Sequence, residues 1–152
     1  MAERFSAPAA CILLLIKDDG GKKKVLLHKR QNTGFADGLW DFSCSGHVEH
    51  GESMKKALVR EAEEELGIEI SLSSLNFFTF IHKRENKGDI TYYNAYFYCD
   101  TYSGEPYICE SEKCAALEWC DINELPSDLI DDRKQAFKAF LDGVHYVEYG
   151  WQ

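Results

Sequence analysis

Three carboxylates stand one helical turn apart in the stretch GHVEHGESMKKALVREAEEELGI, residues 46–68. They are Glu61, Glu64 and Glu65, at i, i+3 and i+4. Those positions share one face of an α-helix, with Cβ atoms roughly 5–6 Å apart. Like charges stacked in this way weaken a helix, so a chain that keeps all three calls for a cation between them. An all-oxygen cluster suits a hard divalent ion, Mg2+ or Mn2+. Such an ion polarises a phosphoryl oxygen and lowers the pKa of a bound water, and a neighbouring carboxylate can take the proton. The reaction this suits is water attack on a phosphorus within a diphosphate. Arg60 adjoins the cluster and can neutralise and orient one glutamate through a bidentate pair. Glu52, in the loop ahead of the helix, can reach the same site. Gly46 and Gly51 let that loop turn tightly, so that its backbone can approach.

These residues need a helix, and the helix needs a core. Ser53 is a fitting N-cap, and Leu58, Ala62 and Leu66 recur at i, i+4 and i+8 with Val59 beside them. Gly67 stops the helix as a C′ residue does. Upstream, residues 9–17 read as a central strand and residues 24–30 as a second, hairpin-paired through Asp18-Asp19-Gly20-Gly21. Residues 31–38 form a loop, and residues 39–45 a short strand feeding Gly46. Downstream, residues 75–84 and 90–100 read as two long aromatic strands joined by a turn at 85–89. Residues 102–113 are a loop and 116–120 a short strand. Residues 121–125, ended by Pro126, read as a single helical turn. Residues 133–141 form a second helix with Ala136, Phe137 and Phe140 on one side, ended by Gly143. The aromatic tail GVHYVEYGWQ is expected to pack on the body or on a second copy, which makes a homodimer an expectation. With no repeat, linker or low-complexity segment, the chain reads as one α+β domain over residues 1–152.

Bulk properties narrow the partners. The 152 residues carry a net charge of −9, from 17 basic and 26 acidic side chains. That balance argues against nucleic-acid polymers and acidic membranes, which attract basic surfaces. An anionic small-molecule substrate would have to be met through a metal. The apolar run from Ala9 to Ile16 is too short for a transmembrane helix and lacks the flanks of a signal peptide, so a buried strand is expected. The six cysteines, at 11, 44, 99, 109, 114 and 120, form no C-x-x-C pair. That disfavours structural zinc and suits reduced thiols in a cytoplasmic protein.

The spacing from Gly46 through Glu52, Arg60, Glu61, Glu64, Glu65 and Gly67 resembles the signature of the Nudix hydrolases, G-x5-E-x7-R-E-U-x-E-E-x-G-U with U aliphatic. All seven fixed positions match, a coincidence on the order of 10⁻⁸ at a given start on background residue usage. Ala62 is at the small end of the aliphatic position. A VLL-x-x-R strand (Val25 to Arg30) and an L-x-W strand (Leu117 to Trp119) extend the resemblance over most of the chain. It implies an α/β/α sandwich around a mixed β-sheet. It also implies Mg2+ or Mn2+ on Glu61, Glu64 and Glu65, with Glu52 helping to hold the site and the Gly46 carbonyl joining the coordination. MutT-like members add a loop carboxylate, for which Glu110 in GEPYICE is the match. The general base stays open between Glu61, Glu65 and Glu110.

The implied reaction is hydrolysis of a nucleoside diphosphate linked to another group, with a nucleoside triphosphate first among the candidates and damaged nucleotides, nucleotide sugars and ADP-ribose beside it. Arg30 suits a substrate phosphate. Phe35, Trp40, Phe80 and Tyr92 are the candidates for a base pocket, and His47 and His50 flank the loop as supporting or surface groups. Two rivals are weighed. Isopentenyl-diphosphate isomerases share the fold and place a catalytic Cys directly before the Gly-His of this loop. Here that position is Ser45, and Cys44 stands one residue earlier, which turns its side chain to the other face. A non-catalytic nucleotide sensor would be expected to lose the glutamate cluster, which is intact.

Overall fold

The computed structural model describes residues 3–85 and 89–151. Its organising element is a forked strand. β1 (Ala9–Asp19) is apolar on both faces because both are covered. Cys11, Leu13 and Leu15 enter one core cluster, and Ile12, Leu14 and Ile16 enter the other. The C-terminal end of β1 pairs antiparallel with β2 (Lys22–Arg30), from Ile16↔Val25 to Asp19↔Lys22. The turn between them holds Gly20 and Gly21 at φ 63° and 89°, where only glycine is unstrained. The N-terminal end of β1 pairs antiparallel with β4 (Cys44–His47) and parallel with β6 (Ile90–Cys99).

Beyond Val25, β2 leaves β1 and pairs with β3 (Trp40–Asp41) and β7 (Cys114–Asp121). β6 continues the other arm through β5 (Asn76–Glu85) to β8 (Tyr146–Tyr149). At the crotch of the fork Ser43 accepts from Leu15 N–H at 2.8 Å and donates to Leu26 O at 2.7 Å. One hydroxyl thus satisfies backbone groups on β1 and β2 where the two strands part.

α1 (Met54–Leu66) buries Ala57, Leu58, Ala62 and Leu66 against one face of the sheet. α2 (Asp131–Asp142) buries Ala136 and Phe137 on the other, with Phe140 packed beside them. The result is the α/β/α sandwich around a mixed sheet implied by the resemblance. Fully burying a Leu or Phe side chain contributes about 1.5–3 kcal/mol. Ser53 caps α1 by accepting from Lys56 N–H, and Gly67 and Gly143 end the two helices in the left-handed region.

Two local readings differ from the structure, and a third is narrowed to one of its alternatives. Residues 121–125 form a turn and no helix: the Asp121 carboxylate accepts from Asn123 N–H at 2.8 Å, a local bond that competes with helix formation. Residues 39–45 make two short strands, because Ser43 and Phe42 turn into the fork between them. The tail supplies β8, parallel to β5 from Phe80↔Tyr146 to Lys83↔Tyr149, so it packs on the body of its own chain. The turn read at 85–89 lies largely outside the described residues. Among the described residues no helix is long and apolar enough to cross a membrane.

Candidate active site

Arg60 is the clasp of the glutamate helix. Its Nε and Nη2 grip the two oxygens of Glu52 at 3.1 and 2.7 Å, a bidentate pair that ties the loop to α1. Its Nη1 donates to Glu61 Oε1 at 2.7 Å and approaches Glu64 Oε2 at 3.4 Å. The sequence reading gave Arg60 one glutamate; the structure gives it hydrogen bonds to three and a longer ion pair, 3.8 Å, to Glu49. Glu52 also accepts from Glu49 N–H at 2.9 Å, which pins the loop again.

Gly46 serves by absence. A Cβ at this position would collide with the Glu61 carboxyl, so only glycine lets strand and helix approach this closely. Gly51 sits at φ 81°, the turn-forming conformation expected of it.

Glu65 is the half-buried carboxylate that faces the cavity. It accepts from Ser45 N–H at 3.2 Å. Burial, with the charges of Glu61 and Glu110, pushes its carboxyl up to about 8. Burial also raises Glu61, opposed by Arg60 and reinforced by Glu64 and Glu110. Glu110, 45 residues from Glu65 along the chain, is therefore close enough to act on both, and it lines the same cavity as Glu65. Glu64 stays at the rim, with 55% of its side chain exposed. Among the described residues no trio of His, Cys, Asp or Glu side chains has already closed to the spacing of an ion cage. The donor chemistry nonetheless fits a hard cation: every side chain here offers oxygen, and the half-buried Glu65 feels the charge of two further carboxylates. Glu61, Glu65 and Glu110, with Glu64 at the rim and the Gly46 carbonyl, are the groups that could hold Mg2+ or Mn2+.

The cavity beside this cluster, about 460 Å³, lies within the fork. Its wall includes Gly46, Glu65, Glu110, Arg30, Phe35 and Tyr92 from the sequence reading. Arg30 is held by Asp41 Oδ2 at 3.0 Å and by Phe35 O at 2.8 Å. Tyr92 stacks on His47, ring centroids 6.2 Å apart, while His50 is exposed. Trp40 and Phe80 are not in this wall. Alternation along the strands separates them from it: Asp41, next to Trp40, bonds Arg30 and Arg133 of the wall, and Lys83, in the wall, lies on the opposite face of β5 from Phe80. Trp40 packs on the α2-side core, and Phe80 is stacked between Tyr93 and Tyr146. Cys44 belongs to the α1-side core and Ser45 to the cavity, as the one-residue offset requires. Burial and the nearby Glu65 and Glu61 raise the Cys44 thiol, so it stays protonated and inert.

Sequence reasoning missed the buried ion-pair network in and behind the cavity wall. Asp41 is fully buried and bonds Arg133 Nε at 2.7 Å as well as Arg30. Burial pushes its carboxyl up, but Arg133, His28 and Arg30 outweigh that and hold it at about 2. Lys83, 4% exposed, pairs with Glu85 at 2.9 Å and Asp132 at 3.4 Å. His28, Asn94 and Arg133 also face the cavity. The one available signal was Asp41 itself, a lone acid inside the apolar run Leu39 to Phe42.

A carboxylate-bearing loop and helix beside a cavity, in an α/β/α sandwich, form an arrangement suited to phosphoanhydride chemistry. The family model "NUDIX domain" matches residues 6–141, and the chain belongs to the Nudix hydrolase family. It is 36% identical over 101 residues to the CTP pyrophosphohydrolase of Escherichia coli (strain K12), spanning 66% of this chain and 69% of that protein. It is 28% identical over 134 residues to isopentenyl-diphosphate Delta-isomerase 2 of Photorhabdus laumondii, spanning 84% and 74%. Among solved structures, the MutT Nudix hydrolase of Burkholderia pseudomallei superposes with a TM-score of 0.78 at 24% identity, over 89% of this chain and 98% of that one.

Proposed function

We propose that the chain is a Mg2+-dependent pyrophosphohydrolase that cleaves a nucleoside triphosphate to the monophosphate and pyrophosphate. The observation that carries this is the meeting of Glu65 and the distant Glu110 in the wall of one cavity of about 460 Å³, with Glu61 close enough to raise Glu65. When bound, the ion supplies polarisation of a phosphoryl oxygen and neutralisation of developing charge. The protein's own groups do the rest. Arg60 holds Glu52 and Glu61 in place, which fixes the carboxylate cluster. Arg30, pre-positioned by Asp41 and the Phe35 carbonyl, meets a phosphate. The general base for the attacking water is one of Glu61, Glu65 and Glu110 on this reading.

The name of the 36%-identical relative makes CTP the first triphosphate to try. Six free thiols suit a reducing compartment, the cytoplasm. The test is Mg2+-dependent release of pyrophosphate from a panel of triphosphates, ADP-ribose, nucleotide sugars and isopentenyl diphosphate. Glu65→Gln is expected to lower kcat by roughly 10²–10⁴-fold. If Glu64→Gln and Glu65→Gln both keep wild-type turnover, the carboxylate assignment is wrong.

A further inference from the structure

A buried amide oxygen without a partner belongs to a side chain in the cavity wall, away from the glutamates. Asn94 is 4% exposed, and its Oδ1 is buried with no hydrogen-bond partner among the described residues. A buried unpaired amide is destabilising, and its retention asks for a ligand. The strand ladder fixes where it lies. Asn94 pairs across to Ala10 on β1, and Ala10 pairs across to His47 on β4. Asn94 is therefore two strand spacings, about 10 Å, from the backbone that carries Gly46. The side chain between them, Ala10, is a methyl that leaves the cavity floor open. That separation is comparable to the reach of a nucleoside from its base edge to its α-phosphate.

His28 supplies a second polar group to the same cavity. Its Nδ1 lies 2.6 Å from Phe42 O. A carbonyl only accepts, so Nδ1 carries the proton and donates it there. Burial lowers the imidazole pKa and keeps the ring neutral, which leaves Nε2 as a fixed acceptor. The Phe35 and Tyr92 rings flank the site, with Lys83 Nζ 4.9 and 6.0 Å from their centroids.

We propose that Asn94 and His28 form the base-reading edge of this enzyme and select a nucleotide whose base carries an exocyclic amino group, as in cytosine or adenine, over its keto counterpart. The inference rests on the reading that the cavity takes a nucleotide. The Asn94 carboxamide sets one donor beside one acceptor, which matches the ring nitrogen and amino group of an amidine edge. It could turn over to suit a keto edge as well. His28 cannot, because Phe42 O fixes its tautomer. An amino group has a second N–H to give to Nε2; a keto oxygen would face it lone pair to lone pair.

The test separates base reading from turnover. Calorimetric titration of the full chain with CMP against UMP, and AMP against IMP, should show at least about tenfold tighter binding of the amino member in one pair or both. Asn94→Leu, of similar size, should weaken that binding about tenfold while leaving Tm unchanged or higher, since an apolar group replaces an unpaired amide. Equal affinities within both pairs overturn the proposal, as does an Asn94→Leu variant with wild-type Kd. Pyrophosphate release from the matching triphosphates reports separately. Release without base preference overturns the base-reading edge alone; base preference without release overturns the triphosphate assignment alone.

Discussion

Asp41 holds together two cations from opposite ends of the chain, and its charge state sets their stability. Its folded pKa, about 2, is below the ordinary 3.8. A depressed carboxyl stabilises the fold fully above its unfolded pKa and loses that contribution as pH falls through the folded value. Acid unfolding should therefore show a loss of about 2 kcal/mol between roughly pH 4 and 2. Urea melts across that range are the check, with Asp41→Asn expected to flatten the slope. That variant should also lose about 3–5 kcal/mol at neutral pH, because Arg133 is left buried without its main partner. Cys44 makes the opposite prediction. Its thiol is turned into the α1-side core, so Cys44→Ala should keep wild-type turnover and lose about 1 kcal/mol in a denaturant melt. A dead but folded variant would reopen thiol chemistry. At this scale the glutamate box was legible because its residues lie on one loop and helix, where spacing along the chain is spacing in space. Asn94, His28, Asp41 and Arg133 were not. They come from β6, β2, β3 and α2, and no periodicity links residues 92 apart, the separation of Asp41 and Arg133.

The elements follow local chemistry wherever local chemistry acts alone. The two long strands, the hairpin at Gly20-Gly21 and both helix ends stand within a few residues of where side-chain pattern and turn residues put them. Departures occur where a side chain makes a bond that the pattern does not encode. Asp121 closes a turn in place of a helix. Ser43 interrupts a strand to bridge β1 and β2, and its cost of removal is predictable. Ser43→Ala leaves Leu15 N–H and Leu26 C=O without a partner in a site 1% exposed. The expected loss is about 2–4 kcal/mol, read from denaturant midpoints. Cavity binding should suffer too, since the hydroxyl is what joins the two arms at their root.

For the molecule as a whole, the order of strands and helices pointed to the sandwich, while the fork and its cavity arise only when the strands are paired. The tail illustrates the difference. Its aromatics suggested packing, but β8 becomes visible only beside β5, where Tyr146 stacks on Phe80 and Trp151 Nε1 donates to His82 O. Removing residues 144–152 would leave the β5 edge unpaired and Phe80 uncovered. The shortened chain should melt lower and self-associate, measured by light scattering against the full chain, because bare strand edges recruit one another. A truncated protein that stays monomeric with an unchanged Tm would show that the tail is not needed to close the sheet.

The fork also divides inheritance. The carboxylates proposed to hold the ion sit on α1 and the loop of Glu110, while His28 and Asn94 sit on β2 and β6. Substitutions on those two strands can drift without touching the arginine clasp. A directed library at positions 28, 35, 92 and 94, all in the cavity wall, should therefore change base preference while leaving the Arg60 clasp intact.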